Sequence, residues 1–168
     1  MKIVTDSGAD LLFPPERMKE IEVEIVPLTV NLDGKSYREG IDIEFENFYK
    51  ILEATDGLPT TSTPSPGEFA ETYRRVAKTD PDILSIHISS GLSGTYNAAV
   101  QGAEMVPEAN VTHFDAKTLS AAVGWMVEAA SKAIKAGWPT EKIVELLEKI
   151  REGSSSIYTL KELKYQIN

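Results

Sequence analysis

Apolar residues recur along this chain with two periods, one of two residues and one near 3.6, and the segments that carry them take turns. Residues 2–5 form a short β-type run that ends in "DSGAD". Pro14-Pro15-Glu16 predicts the start of a short helix, because proline suits a first helical turn. Residues 22–28 alternate, which predicts a strand with Val23, Ile25 and Pro27 on one face. In "VNLDGKSY" two β-type runs flank Asp33-Gly34, a pair that favours the positive φ of a type I′ hairpin turn. Residues 44–54 place Phe45, Phe48, Tyr49 and Leu52 at helical spacing. "TDGLPTTSTPSPGEF" is dense in Thr, Ser, Pro and Gly and reads as a loop.

Ser65-Pro66-Gly67-Glu68 has the form of a capping box and predicts a helix to about residue 77. Residues 82–89 read as a buried strand, and a helix from Ser93 or Gly94 to residue 106 follows. Then come a strand over 111–114, an apolar helix over 120–136 closed by Gly137, and an amphipathic helix over 139–151. Ile143, Leu146, Leu147 and Ile150 face inward on that last helix. Residues 156–159 are strand-like. Strands alternating with helices imply a three-layer α/β/α fold around a parallel sheet. Ligands in such sheets gather at the carboxyl ends of the strands. Three loops expected there are rich in small polar residues: Asp6-Ser7-Gly8, residues 59–65 and residues 89–95.

Composition narrows the function. The 168 residues suit one ordinary domain, with 42% hydrophobic and 26% charged residues. A net charge of −9 argues against nucleic acid and against an anionic membrane surface. The chain has no cysteine, so disulfides and thiolate metal sites are excluded. "MKIVT" runs straight into Asp6 without a signal-peptide pattern, and a cytoplasmic location is the expectation.

The turn "ISSGLSGTYNAA" joins a strand to a helix and contains no charge. A helix N-terminus offers unpaired N–H donors and a partial positive charge, which hydroxyls extend into an anion site. Ser93 is placed to aim its Oγ at such a ligand, Gly91 and Gly94 allow close approach, and Thr61 and Ser62 offer donors from the second loop. No Lys or Arg lies within 57–73 or 82–116, so a P-loop is absent there. Hydroxyls without a fixed cation suit a carboxylate, or a phosphoryl ligand whose countercharge comes from elsewhere. A turn in which the serines only satisfy their own backbone is the alternative. "GLSGT" also approaches a nucleophile elbow, with Thr95 at the last glycine position. A serine esterase using Ser93 needs a base, and His113 fits better than His87, which lies mid-strand; Asp115 is the nearest acid. Asp6 and Asp10 read as turn caps before metal ligands, and Glu39, Asp42, Glu44 and Glu46 read as a solvated acidic face.

"VTDSGADL", "TTSTPSPGEF", "ISSGLSGTYNAA" and "DAKTLSAAVGWMV" occur in the order and spacing of the DegV family of bacterial fatty-acid-binding proteins, which the chain resembles throughout. Ala116 and Ala122 depart from that family's third motif, whereas Asp115, Ser120 and Gly124 match it. The resemblance implies an α/β first lobe over 1–153, with 154–168 ("IYTLKELKYQIN" among them) beginning a C-terminal lobe that is otherwise absent. It implies a long-chain fatty acid held between lobes as ligand, with no cofactor and no metal. Thr61 with Ser62, and Ser93 with Gly94, would hold the carboxylate. A separate fatty acid kinase subunit would phosphorylate that carboxylate to an acyl phosphate, leaving this chain without a catalytic cycle of its own. Without a second lobe the chain would bind more weakly and be a possible homodimer.

Overall fold

The computed structural model describes residues 1–43, 45–55 and 57–159. In chain order the elements are β1 (Lys2–Asp6), a 3-10 turn (Ser7–Ala9), α1 (Pro15–Ile21), β2 (Val23–Val26), β3 (Thr29–Leu32), β4 (Lys35–Arg38) and α2 (Phe45–Glu53). After them come β5 (Thr60–Ser62), α3 (Pro66–Ala77), β6 (Asp82–His87), α4 (Thr95–Glu104), β7 (Asn110–Asp115), α5 (Ala121–Lys135) and α6 (Thr140–Gly153). Four of these strands form a parallel sheet in the order β2-β1-β6-β7. The other three form a small antiparallel sheet in the order β4-β3-β5.

Alternation within the buried strands builds the layers. Ile3, Leu84, Ile86 and Phe114 pack with Met126, Val127, Ile143 and Leu147, so α5 and α6 cover one face, with Ile21 of α1 at its margin. Val4 and Ile83 face the other way, onto Phe69, Tyr73, Ala98 and Ala99 of α3 and α4. The three-layer α/β/α arrangement with a parallel sheet is the one the sequence pattern implies.

Local signals place several boundaries. Ser65 Oγ accepts from Glu68 N at 3.3 Å and Glu68 Oε2 accepts from Ser65 N at 2.7 Å, which completes the capping box of α3. Asp33 (φ 51) and Gly34 (φ 73) form the hairpin turn with both φ values positive. Gly137 (φ 74) closes α5, donating to Ile134 O at 2.9 Å.

Other expectations fail for tertiary reasons. Residues 60–62 are not loop: they form β5, because β3 offers an open edge to which Thr60, Thr61 and Ser62 pair. In β2 it is Val26 that is buried, against the Val4 cluster, whereas Ile25 stays 40% exposed at the mouth of a cleft of about 250 Å³. α4 starts at Thr95, so Ser93 precedes the helix. Residues 156–159 form no strand among the described residues, and Leu160, Leu163 and Tyr165 lie outside those residues.

α3 and α4 cross where Gly102 meets Phe69. A β-carbon added at Gly102 would lie 2.6 Å from Phe69 Cβ and 2.7 Å from Pro66 O. Backbone oxygen cannot yield as a flexible side chain does. Gly102→Ala is therefore expected to lose about 1–3 kcal/mol from overpacking, reduced but not reversed by the ~1 kcal/mol helical preference for alanine. A urea titration of parent and variant checks this; a stabilised variant would refute the close crossing.

Candidate functional site

The sheet changes winding direction between β1 and β6, because the chain leaves β1 toward β2 on one side and β6 toward β7 on the other. Such a switch point opens a crevice at the carboxyl ends of the two strands. Asp6 ends β1 there with Ser7 and Gly8 after it, and residues 88–94 follow β6.

Asp6 ties these two exits together. It is fully buried. Its Oδ1 accepts from Gly8 N at 3.0 Å, and its Oδ2 accepts from the His87 Nδ1 at 2.8 Å and from Ile88 N at 3.2 Å. His87 continues the chain through Nε2 to Ser85 Oγ at 2.6 Å, and Ser85 Oγ meets Tyr73 Oη at 2.7 Å. Ser7 leads outward: its Oγ accepts from Leu28 N at 2.9 Å and donates to Glu39 at 2.7 Å. Burial raises the Glu39 carboxyl above its ordinary range, against the lowering effect of Ser7. Glu39 is half-buried behind Ser7, whereas Asp42 pairs with Arg38 and Glu46 is exposed as expected. Glu44 lies outside the described residues.

The turn after β6 is folded upon itself. Leu92 N and Ser93 N donate to Ser89 O at 3.0 and 3.1 Å, and Gly91 N donates to Ser89 Oγ at 3.2 Å. Ser90 N and Oγ donate to Asp115 at 3.2 and 2.6 Å. Ser89 and Ser90 thus serve their own backbone and the neighbouring loop. Ser93 is different. Its Oγ accepts from Thr95 N at 3.3 Å and shares a 2.9 Å hydrogen bond with Thr95 Oγ1, at the rim of α4. Ala98 N is the first amide in the helical ladder, to Gly94 O at 2.9 Å; Gly94, Tyr96 and Asn97 precede it at the open end.

β5 brings the second loop to the same place. Thr61 sits directly across from buried Val30 and shares its face, and its hydroxyl has no partner among the described residues. Ser62 Oγ accepts from Asn31 Nδ2 at 3.0 Å and is partly committed to its own sheet. Thr63 then reaches Gly94: a β-carbon built there would lie 3.7 Å from Thr63 Cγ2. A fourth loop closes the ring. Ser120, at φ 63 and ψ −146, holds a backbone conformation that normally belongs to glycine. Ser120 N donates to Gly8 O at 2.8 Å and Ser120 Oγ to Asp10 Oδ2 at 2.5 Å, which keeps it there.

The residues expected of an esterase do not assemble around Ser93. Among the described residues no hydrogen bond joins Ser93 to a histidine. His113 lies between the rings of Tyr73 and Tyr96, at 6.3 and 6.2 Å between centroids, with its Nδ1 buried and unpartnered. Asp115 is occupied by Ser90 and by Lys117 N. Ser85, His87 and Asp6 do have the order of a hydrolase triad, but all are sealed from solvent. Sequence reasoning took Asp6 for a local cap and missed this chain. The signal was present: Ser85, His87 and Ser89 are polar at every second position of an otherwise apolar strand.

A parallel three-layer α/β domain with hydroxyl-bearing loops at its switch point is the class these features define. The chain belongs to the DegV family: the model described as "Uncharacterised protein, DegV family" matches residues 1–166. A DegV domain-containing protein of Listeria innocua is 35% identical over 162 residues, which cover 96% of this chain and 56% of that protein. Among solved structures, DegV, a fatty acid binding protein from Bacillus subtilis, has a TM-score of 0.84 and 34% identity over 90% of this chain and 53% of its own. A fatty-acid-binding DegV family protein from Thermus thermophilus has a TM-score of 0.78 and 38% identity, again over 90% and 53%. The chain spans a little over half the length of these relatives. Among the described residues no helix is long and apolar enough to cross a membrane.

Burial lowers His113 from 6.5 to about 4, with a smaller contribution from His87. The neutral ring is thus favoured in the folded state. Stability from this group is complete above pH 6.5 and is lost as pH falls toward 4, because the unfolded chain takes up the proton first. His113→Phe is expected to lose less stability than the parent between those two pH values, read from urea midpoints. An identical pH slope in both would refute the burial of His113.

Proposed function

We propose that the chain binds a long-chain fatty acid by its carboxylate, with the hydroxyls of Thr61 and Ser93 as donors and Ser62 and Gly94 beside them. The observation that carries this reading is the meeting of Thr63 with Gly94, which draws two cation-free hydroxyl loops together at the sheet's switch point. The open amides at the start of α4 add donors suited to one negative charge. The fatty-acid-binding relatives of similar fold support the ligand class. Hydroxyls orient the head, and each buried methylene of the tail adds about 0.8 kcal/mol.

The chain has no catalytic cycle of its own in this reading. It offers the carboxylate to a separate kinase subunit, which forms the acyl phosphate, and it works in the cytoplasm. Residues 1–153 act as the fatty-acid-binding lobe, and residues 154–168 lead toward a second one. Exposed Trp125, Ile157 and Tyr158 line a cleft of about 440 Å³ beside that junction. The 168-residue chain by itself is therefore expected to bind fatty acid more weakly than a two-lobed relative and to favour a homodimer. Titration with palmitate and sedimentation of both proteins check this; equal affinity in a monomer would show that this cleft needs no cover.

Each hydroxyl that donates to a charged group is worth about 1.5–3 kcal/mol, or roughly 10- to 150-fold in affinity. Thr61→Val keeps the side-chain shape and removes the donor, and Ser93→Ala does the same on the other loop. Both are expected to weaken palmitate binding by such factors without loss of fold. Unchanged affinity in both would sink the assignment. Native mass spectrometry of the purified protein separates the ligand classes: a mass increment of a fatty acid supports the reading and a phosphoryl ligand would replace it, while hydrolysis of a chromogenic ester that Ser93→Ala abolishes would favour an esterase.

A further inference from the structure

The elements that carry the three polar loops share one buried hydrogen-bond chain. Tyr73 stands on α3, whose N-terminus follows residues 60–65. Ser85 and His87 stand on β6, which feeds the turn bearing Ser93. Asp6 ends β1 and caps the turn that begins at Ser7. All four residues are completely buried. A carboxylate only accepts, so His87 donates from Nδ1 to Asp6. Ser85 Oγ bridges His87 Nε2 and Tyr73 Oη. The chain ends on Asp6, which also receives the amides of Gly8 and Ile88.

We infer that Asp6, acting through His87 and Ile88, is the positioning residue that holds the residue 89–95 turn in register with the other two loops, and so presets Ser93 for its ligand. The ligand part of this inference rests on the fatty-acid reading above; the positioning part does not. An amide keeps only one of the two acceptor atoms: with its oxygen toward His87 and Ile88 its Nδ2 opposes Gly8 N–H, and with its oxygen toward Gly8 its Nδ2 opposes the other two donors. Either placement pushes the side chain off a partner, and Asp6→Asn should therefore loosen the turn, not merely weaken the sheet.

The test compares the full chain with Asp6→Asn and with Thr5→Val. Thr5 Oγ1 donates to Ile86 O at 2.7 Å, a buried hydrogen bond between the same two strands but outside the chain of four. Amide exchange is followed at Leu92 and Ser93, whose N–H groups bond Ser89 O. Asp6→Asn is expected to speed exchange there at least tenfold relative to the sheet amides, and Thr5→Val to leave that ratio unchanged. Equal loosening in both variants, or an unchanged ratio in Asp6→Asn, overturns the inference. Should Asp6→Asn fail to fold, the Tyr73→Phe variant removes the far hydroxyl and leaves the Asp6 contacts in place. In that case the same amides must keep their protection in Tyr73→Phe, and their loosening would overturn the assignment to Asp6. Palmitate titration then adds the functional arm. A tenfold or greater loss in Asp6→Asn that does not add to the loss in Ser93→Ala supports action through the turn, and full additivity refutes it. A parent that binds no palmitate refutes the fatty-acid reading and leaves the exchange result to decide the positioning.

Discussion

A carboxylate removed from water must find its hydrogen bonds inside the protein, and Asp6 finds three. They come from the turn that follows its own strand and from the end of the neighbouring one. Losing any of these partners would leave a buried charge under-solvated. That constraint fixes the relative position of β1 and β6 at the one point where the sheet divides. The loops of the candidate site leave from that point, so their geometry inherits its rigidity.

The rest of the site is built outward from this anchor by small contacts. Ser7 couples the β1 exit to Leu28 and Glu39. Ser120 couples it to α5 through Gly8 and Asp10, bonds that help hold its positive-φ backbone conformation. Gly124 lets α5 lie close: a β-carbon there would be 2.9 Å from Ala9 O. Gly102 does the same between α3 and α4, and those two helices deliver residues 60–65 and 93–94 to each other. A hydroxyl rim without a fixed cation is therefore not a loose surface feature. Its hydroxyls are held by packing behind them, which in the proposed fatty-acid reading would spare the ordering cost of a site that offers no ion pair.

Compared with hydrolases, the molecule separates two features that catalysis joins. Ser85, His87 and Asp6 form the hydrogen bonds of a triad but have no access to a substrate. Ser93 has access but no histidine partner among the described residues. The buried set is closed to solvent, and the half-buried Ser93 lies at the rim of α4.

The sequence determined what depends on neighbours within a few residues. The capping box at Ser65, the Asp33-Gly34 hairpin turn, the glycine stop after α5 and the alternation of strands with helices are all local, and the chain folds as they predict. The polar loops were legible too, because Ser, Thr and Gly cluster there. Pairing across distance was not legible. β5 exists because β3 has a free edge about thirty residues earlier in the chain, and nothing in "PTTSTP" announces it. Which face of β2 is inside depends on Val26 meeting the Val4 cluster, not on its own alternation. Asp6 lies 81 residues from His87, and only the parallel register that sets Thr5 beside Ile86 brings their side chains together. Local propensity chooses a segment's shape, but the partner of a buried polar atom is chosen by whichever segment the sheet places beside it.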